Sequence, residues 1–145
     1  MKILLATDGS AHSKAMVKQF AARIFAPNTK VRIISAYDRS YVNYTSPMGV
    51  LNEFYTEADN QLLKFVEAAT ENAATIFHKV NPKLSISTAV IEGSAKSVIL
   101  QEAEKFGANL IVVGSHGHGA IAGFLLGSVS QAVALHARCS VEIVR

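Results

Sequence analysis

The chain alternates between short apolar runs and longer stretches in which apolar residues recur every three or four positions. A short apolar run bounded by turn residues predicts a buried β-strand, and the longer period predicts an amphipathic helix. Because strands and helices alternate, the pattern favours an α/β fold, a parallel sheet with helices on both faces. The predicted strands are Lys2–Thr7, Val31–Ala36, Ser85–Ile91, Leu110–Val113 and Val141–Val144.

Four stretches between these strands carry the helical period. The second is the longest, and its apolar stripe predicts a helix of about seven turns. Ser94 is suited to cap the start of the third helix, and Gly107 is suited to end it. The predicted helices are one with Met16, Phe20 and Ile24 on a shared face, one from Leu51 to Val80, one from Ala95 to Phe106, and one from Ser128 to Ala137.

Length and charge change this picture little. A chain of 145 residues is expected to form one domain, residues 1–145. The 14 Lys and Arg against 11 Asp and Glu give a net charge of +3, with no dense basic run, so nucleic acid is not an expected partner. No apolar run approaches the roughly 20 residues that cross a bilayer, so a membrane is not expected either.

Cysteine usage and the first residues indicate a cytoplasmic protein. Cys139 is alone and cannot form an internal disulfide. The chain begins with a predicted strand rather than with an apolar signal core. Cys139 is expected to be a small buried residue.

The candidate chemistry lies where two strands end. The segment Leu110–Gly119 passes from an apolar strand into glycines, and Gly127-Ser128 follows at the head of a predicted helix, which Ser128 would cap. Glycine lets backbone N–H groups approach a ligand, and a helix N-terminus adds unpaired N–H groups, so this arrangement predicts phosphate binding. Gly117 is expected to have a positive φ. Asp8-Gly9 follows the first strand, at the same edge of the sheet.

Two spacings resemble one known family. Gly114-x2-Gly117-x9-Gly127-Ser128 resembles the ATP-binding signature of the universal stress protein family, and Lys2–Ser10 resembles its first strand and acidic turn. The likeness spans the whole chain. It implies a single-domain, open, Rossmann-like sheet of five parallel strands in the order 3-2-1-4-5, so that the loops after strands one and four face each other.

The resemblance also implies a ligand and a function. An intact glycine signature implies the ATP-binding branch, with Mg²⁺ or Mn²⁺ bound through the phosphates and no metal ligands from the protein. It implies a stress-response regulator that acts as a nucleotide-dependent module on unidentified protein partners, and a homodimer paired through Val141–Val144. The implied nucleotide-binding residues are Ala6, Thr7, Asp8, Ala36, Val113, Gly114, His116, Gly117, Gly127, Ser128, Val129 and Ser130.

Each of these residues also has a plainer interpretation. Asp8 alone would serve as a turn cap, and the glycines would serve as simple turn residues. The chain departs from the family at His118, where many members carry Arg, and at Cys139-Ser140, where Cys-Pro is usual. His116 and His118 lie two residues apart without a third ligand nearby in sequence, which disfavours zinc.

Rival nucleotide motifs fit less well. The chain has no Gly-Lys dipeptide and therefore no P-loop. Gly117-x-Gly119-x-x-Ala122 matches a loose dinucleotide fingerprint, but its acidic residue could only be Glu142, three residues from the end of the sequence.

Catalysis is not indicated. No nucleophile stands beside a base and no carboxylates are paired, so no catalytic residue is predicted. Two alternatives to the regulatory module stay open: a slow ATPase that acts as a timer, and a stress-response interaction domain that binds no nucleotide. The segment Asp38–Gly49 has no clear period and is either a lid or a surface connection.

Overall fold

The computed structural model describes residues 1–38, 52–117 and 126–145. All strand pairs in its five-stranded sheet are parallel, and the strand order is β3-β2-β1-β4-β5, which confirms the predicted fold class. The segment Asp38–Gly49, predicted to be either a lid or a surface connection, lies outside the described residues except for Asp38. His118 lies outside them as well. In chain order the elements are β1 (Lys2–Ala6), α1 (Ala11–Ala21), β2 (Lys30–Tyr37), α2 (Asn52–Val80), β3 (Ser85–Glu92), α3 (Ala95–Phe106), β4 (Leu110–Gly114), α4 (Ser128–His136) and β5 (Ser140–Val144).

Apolar residues are buried on both faces of the sheet, as a central parallel sheet requires. Neighbouring residues of β1 point to opposite sides. Leu5 packs into the cluster that contains Phe20 of α1 and Phe77 of α2. Leu4 packs into the cluster that α3 and α4 complete on the other face. Within the described ranges, no helix combines the length and hydrophobicity needed to cross a membrane.

The helix ends agree with the sequence in part. Gly107 ends α3 in the left-handed conformation at φ 67°, as predicted. Ser94 occupies the predicted N-cap position, but its hydroxyl donates to Ser97 Oγ at 2.9 Å instead of accepting from a helix N–H.

The predicted face of the first helix was wrong at Ile24. Helix α1 ends at Ala21, and the side chain of Ile24 is fully exposed. The physical reason is local: the Arg23 N–H donates to the Phe20 carbonyl at 3.2 Å, which tightens the last turn and stops the helix before Ile24 can join the face of Phe20.

The strand order creates the crevice in which the site lies. β2 lies on one side of β1 and β4 on the other, so the connections after β1 and β4 leave the sheet in opposite directions. Ligands of open α/β sheets bind at this point, beyond the carboxyl ends of the strands.

Candidate functional site

The turn after β1 holds Asp8 in a defined position. Gly9 has a φ of 76°, and a β-carbon there would lie 2.9 Å from Ala69 Cβ, so a larger residue would be strained and would clash. Asp8 Oδ1 accepts a hydrogen bond from the Ser10 N–H at 3.0 Å. Ser10 is the N-cap of α1, and its Oγ accepts from the Ser13 N–H at 3.2 Å. Asp8 is thereby fixed between the end of β1 and the start of α1.

A chain of buried hydroxyls supports this turn from below. Thr7 Oγ1 and Ser13 Oγ lie 2.6 Å apart, and the Thr7 carbonyl accepts from Ser35 Oγ at 2.7 Å. Thr70 Oγ1 of α2 lies 2.7 Å from both Ser35 Oγ and the Val66 carbonyl. These hydrogen bonds connect the turn after β1 to β2 and α2 through the interior.

The segment after β4 is joined directly to the start of α4. The Gly127 N–H donates to the Ser115 carbonyl at 2.8 Å, and the buried Ser130 Oγ donates to the Gly127 carbonyl at 2.8 Å. The N-cap of α4 is Gly127 and not Ser128, which is the first helical residue. No side-chain hydrogen bond caps this helix, so the first N–H groups of α4 face the crevice without a capping side chain.

Gly117 lies against the carboxylate of Asp8. A β-carbon on Gly117 would be 2.7 Å from Asp8 Oδ2. Its φ does not lie in the left-handed region, so the expected positive φ was wrong, and close approach is the reason that glycine is needed here. Gly127 is similarly tight, because a β-carbon there would be 3.2 Å from the Ser115 carbonyl oxygen.

One cavity of about 330 Å³ lies between these segments. All twelve residues singled out from the sequence line it, although they come from separate parts of the chain. Ser13, Ala95, Ile99 and Ser115 also line it and were not predicted. Ala95 and Ile99 are four residues apart on the inner face of α3, and this spacing was the available signal.

The cavity has two chemically different ends. One end is apolar, with Ala6, Ala36 and Val113 from three strands and Ile99 from α3. The other end is formed by glycines, by the start of α4 and by His116.

Two imidazoles lie together near the polar end. His116 Nδ1 is 2.9 Å from Ser115 Oγ, and the His12 ring centroid is 5.9 Å from that of His116. His12 was assigned no role from the sequence, because it lies in a helical pattern. In the described part of the chain, no three His, Cys, Asp or Glu side chains group in a way that could hold a metal ion.

Glu142 does not line the cavity. Its carboxylate forms an ion pair with Arg23, whose Nη1 donates a hydrogen bond to Oε2 at 2.8 Å. This hydrogen bond to Glu142 raises the pKa of the Arg23 guanidinium. The dinucleotide alternative requires Glu142 to contact a ribose, and its pairing with Arg23 argues against that alternative.

Cys139 is half-buried, and burial raises the pKa of its thiol.

The whole chain is similar to known proteins of one family. The universal stress protein family model matches residues 1–145. Protein SH1215 of Staphylococcus haemolyticus is 34% identical over 150 residues, which covers 99% of this chain and 83% of that protein.

Solved structures share the fold. The structure of hypothetical protein MJ0577 is 25% identical, with a TM-score of 0.81, and the match covers 99% of this chain and 94% of that one. A universal stress protein in complex with cAMP is 25% identical, with a TM-score of 0.70, and the match covers 100% of this chain and 96% of that one. A family member from Arabidopsis thaliana with AMP bound is 18% identical, with a TM-score of 0.71 and coverage of 99% and 90%, and therefore shows the fold alone.

Proposed function

The chain belongs to the universal stress protein family, and we propose that its cavity binds an adenine nucleotide, with ATP as the ligand. We infer that residues 1–145 form one nucleotide-dependent regulatory domain, which acts in the cytoplasmic stress response through protein partners. One observation carries the proposal: twelve residues from separate segments line a single cavity with an apolar end and a glycine-and-helix end.

The apolar end suits a nucleobase. Small side chains, Ala6 and Ala36, leave room at the ends of β1 and β2, while Ile99 and Val113 supply apolar surface for a planar ring. Asp8 stands at the edge of this region, where its carboxylate is an acceptor for a ribose hydroxyl or for the adenine amino group.

The other end suits phosphate. The uncapped N-terminus of α4 presents backbone N–H groups and the positive end of the helix dipole. Gly117 and Gly127 lie where a β-carbon would be crowded, so the backbone itself forms this wall of the cavity. The relative crystallised with cAMP, itself an adenine nucleotide, supports the choice of ligand.

Mg²⁺ or Mn²⁺ would be bound through the phosphates. The described residues offer no cluster of metal-ligating side chains, so most ligands must come from phosphate oxygens and water. Ser128 lines the cavity at the start of α4, whereas the buried Ser130 hydroxyl already donates to the Gly127 carbonyl. The bound ion would neutralise phosphate charge.

The lining favours binding over turnover. Among the described lining residues, only Asp8 and His116 are titratable, and none is Arg or Lys. Rapid phosphoryl transfer needs stabilisation of developing charge and an oriented nucleophile. The regulatory module is therefore preferred to the ATPase timer.

Two measurements test this function. Nucleotide released from the purified, heat-denatured protein is separated by chromatography, and ATP, AMP and GTP are titrated calorimetrically into nucleotide-free protein. We expect ATP in the extract and tighter binding of ATP than of GTP. An empty extract together with no heat of binding for ATP would support an interaction domain without nucleotide and would contradict the proposal.

A further inference from the structure

A second, larger cavity of about 730 Å³ opens where β2 and β3 begin, at the amino ends of the strands and opposite the nucleotide cavity. Its walls are two β-turns, Ala26–Thr29 and Asn81–Leu84, and we call it the amino-edge groove. The strands run from this edge to the nucleotide cavity, so the groove is separate from the site described above.

A backbone hydrogen bond closes each of the two turns that form the walls. The Thr29 N–H donates to the Ala26 carbonyl at 3.2 Å, and Asn28 has a φ of 63°, so Pro27-Asn28 has the pattern of a type II turn. The Leu84 N–H donates to the Asn81 carbonyl at 3.0 Å across Pro82, the second residue of that turn. Walls that are ordered before binding reduce the entropic cost of association.

The second wall is tied to the rest of the fold. The Asn81 Nδ2 amide donates to the carbonyl of Ala21 at the end of α1, with a distance of 2.6 Å. The groove therefore keeps its shape through contacts that no ligand supplies.

Apolar surface lies in and beside the groove. Phe25 lines it and contacts the buried Phe20 edge-on and the buried Phe77 at a tilt, with ring centroids 5.7 and 6.1 Å away. Val80 lines it and is about half exposed, and the neighbouring Ile24 is fully exposed. An aliphatic or aromatic side chain placed here would extend the aromatic cluster and remove exposed apolar surface from water.

The charge of the groove has one sign. Lys30 and Lys83, both exposed, are the charged residues among its described lining residues, and no Asp or Glu lines it. A ligand with carboxylates beside apolar side chains is therefore complementary to it.

We propose that the amino-edge groove binds an acidic peptide segment of a partner protein, whose apolar side chains contact Phe25 and Val80 and whose carboxylates meet Lys30 and Lys83. The two cavities share no lining residue, so a peptide in the groove and a nucleotide would not compete for the same contacts. The groove gives the proposed module a surface that remains accessible whether or not a nucleotide is bound.

Fluorescence anisotropy tests the site with a labelled peptide that alternates Glu with Leu and Phe. Two further probes isolate the contributions: one replaces Glu by Lys, and the other replaces Leu and Phe by Ser. Only the acidic apolar peptide should bind. If the serine version binds equally well, charge alone explains the binding and the proposed apolar contacts are wrong. Binding of the lysine version, or no binding of any peptide, would overturn the site.

Variants locate the binding. Lys30→Glu combined with Lys83→Glu should weaken the acidic apolar peptide at least about tenfold. Lys14→Glu combined with Lys64→Glu changes the net charge equally at exposed positions on α1 and α2 and should change the affinity less than about twofold. Equal weakening by both pairs would contradict the proposal.

Two checks complete the design. Val80→Ser, at a half-exposed position, should also weaken the peptide while the thermal unfolding temperature stays close to that of the wild type. If the Lys30→Glu, Lys83→Glu variant instead changes the molecular mass measured by light scattering, the groove is covered by a second copy of the chain and the peptide site is wrong.

Discussion

Gly117 and Asp8 approach each other so closely that a β-carbon on Gly117 would lie 2.7 Å from Asp8 Oδ2. The segment after β4 therefore meets the turn after β1 through a glycine and a carboxylate. Asp8 has little freedom to withdraw, because its Oδ1 accepts the Ser10 N–H at 3.0 Å. Any side chain at position 117 must displace the carboxylate that we assign to the nucleoside end.

Gly117→Val should abolish ATP binding and leave the sheet folded. The branched side chain would push Asp8 from its position and fill the wall at which phosphate is proposed to bind. Calorimetric titration with ATP measures the loss, and far-UV circular dichroism checks the fold. ATP binding at the wild-type affinity would contradict the assigned site.

Gly107→Ala is the matched control for a glycine substitution. Gly107 ends α3 at φ 67°, does not line the cavity and lies beside Lys2 at the start of β1, so alanine there should cost stability of about 1 kcal/mol through backbone strain. Its ATP affinity should equal that of the wild type. A loss of ATP affinity in both variants would indicate a general effect of stability rather than a site.

Thr70→Val tests the buried hydroxyl chain. The substitution keeps the shape of the side chain but removes the 2.7 Å contacts to Ser35 Oγ and to the Val66 carbonyl, so the free energy of unfolding should fall by about 1 kcal/mol. Urea unfolding measures it. Thr88→Val, at an exposed position on β3, should change it by less than about 0.5 kcal/mol.

Steady-state ATP hydrolysis should be far below the kinase range of about 1 to 100 s⁻¹. No Arg or Lys stands among the described residues that line the cavity. A single-turnover assay with labelled ATP gives the rate, and a value inside that range would overturn the preference for a binding module.

A homodimer paired through β5 is expected. β5 is at one edge of the sheet, and its Val141 and Ile143 are only half-buried. An open apolar edge strand promotes association, and symmetric pairing covers it. Light scattering at micromolar concentration should give twice the chain mass, and Ile143→Lys should shift it toward the monomer. A monomeric wild type would rule out this assembly.

The strands were predictable because apolar runs are local signals, whereas the full set of lining residues was implied by the resemblance to the universal stress protein family. The apolar runs define β1 to β5 within a few residues, and the glycine spacing of the two loops leads directly to the cavity. Local signals fail where a partner comes from elsewhere in the chain. Ser13 was missed because its hydroxyl gains its role only when the turn after β1 brings it within 2.6 Å of Thr7 Oγ1.

The errors at element ends arise from backbone hydrogen bonds that the apolar pattern does not show. Ile24 continues the helical period, but the chain leaves the helix after Ala21. The cap of α4 is Gly127 rather than Ser128, because the Gly127 N–H is bonded to Ser115 and its backbone is extended there. A local hydrogen bond from Arg23 to Phe20 accompanies the end of α1, and a hydrogen bond between separate segments fixes the start of α4; apolar spacing encodes neither.

The orientation of the nucleotide is the central claim, and calorimetric titration of ATP and AMP into two variants tests it most directly. Asp8→Ala removes a contact at the nucleoside end and should weaken the binding of both ligands by a similar free energy, about 1.5 to 3 kcal/mol for a hydrogen bond to a charged group. Asp8→Asn serves as its control, because it keeps an acceptor for the Ser10 N–H. Ser128→Ala, at the start of α4, should weaken ATP more than AMP. If Ser128→Ala weakens AMP as much as ATP, the glycine loop and α4 do not hold the triphosphate, and the proposed orientation is wrong.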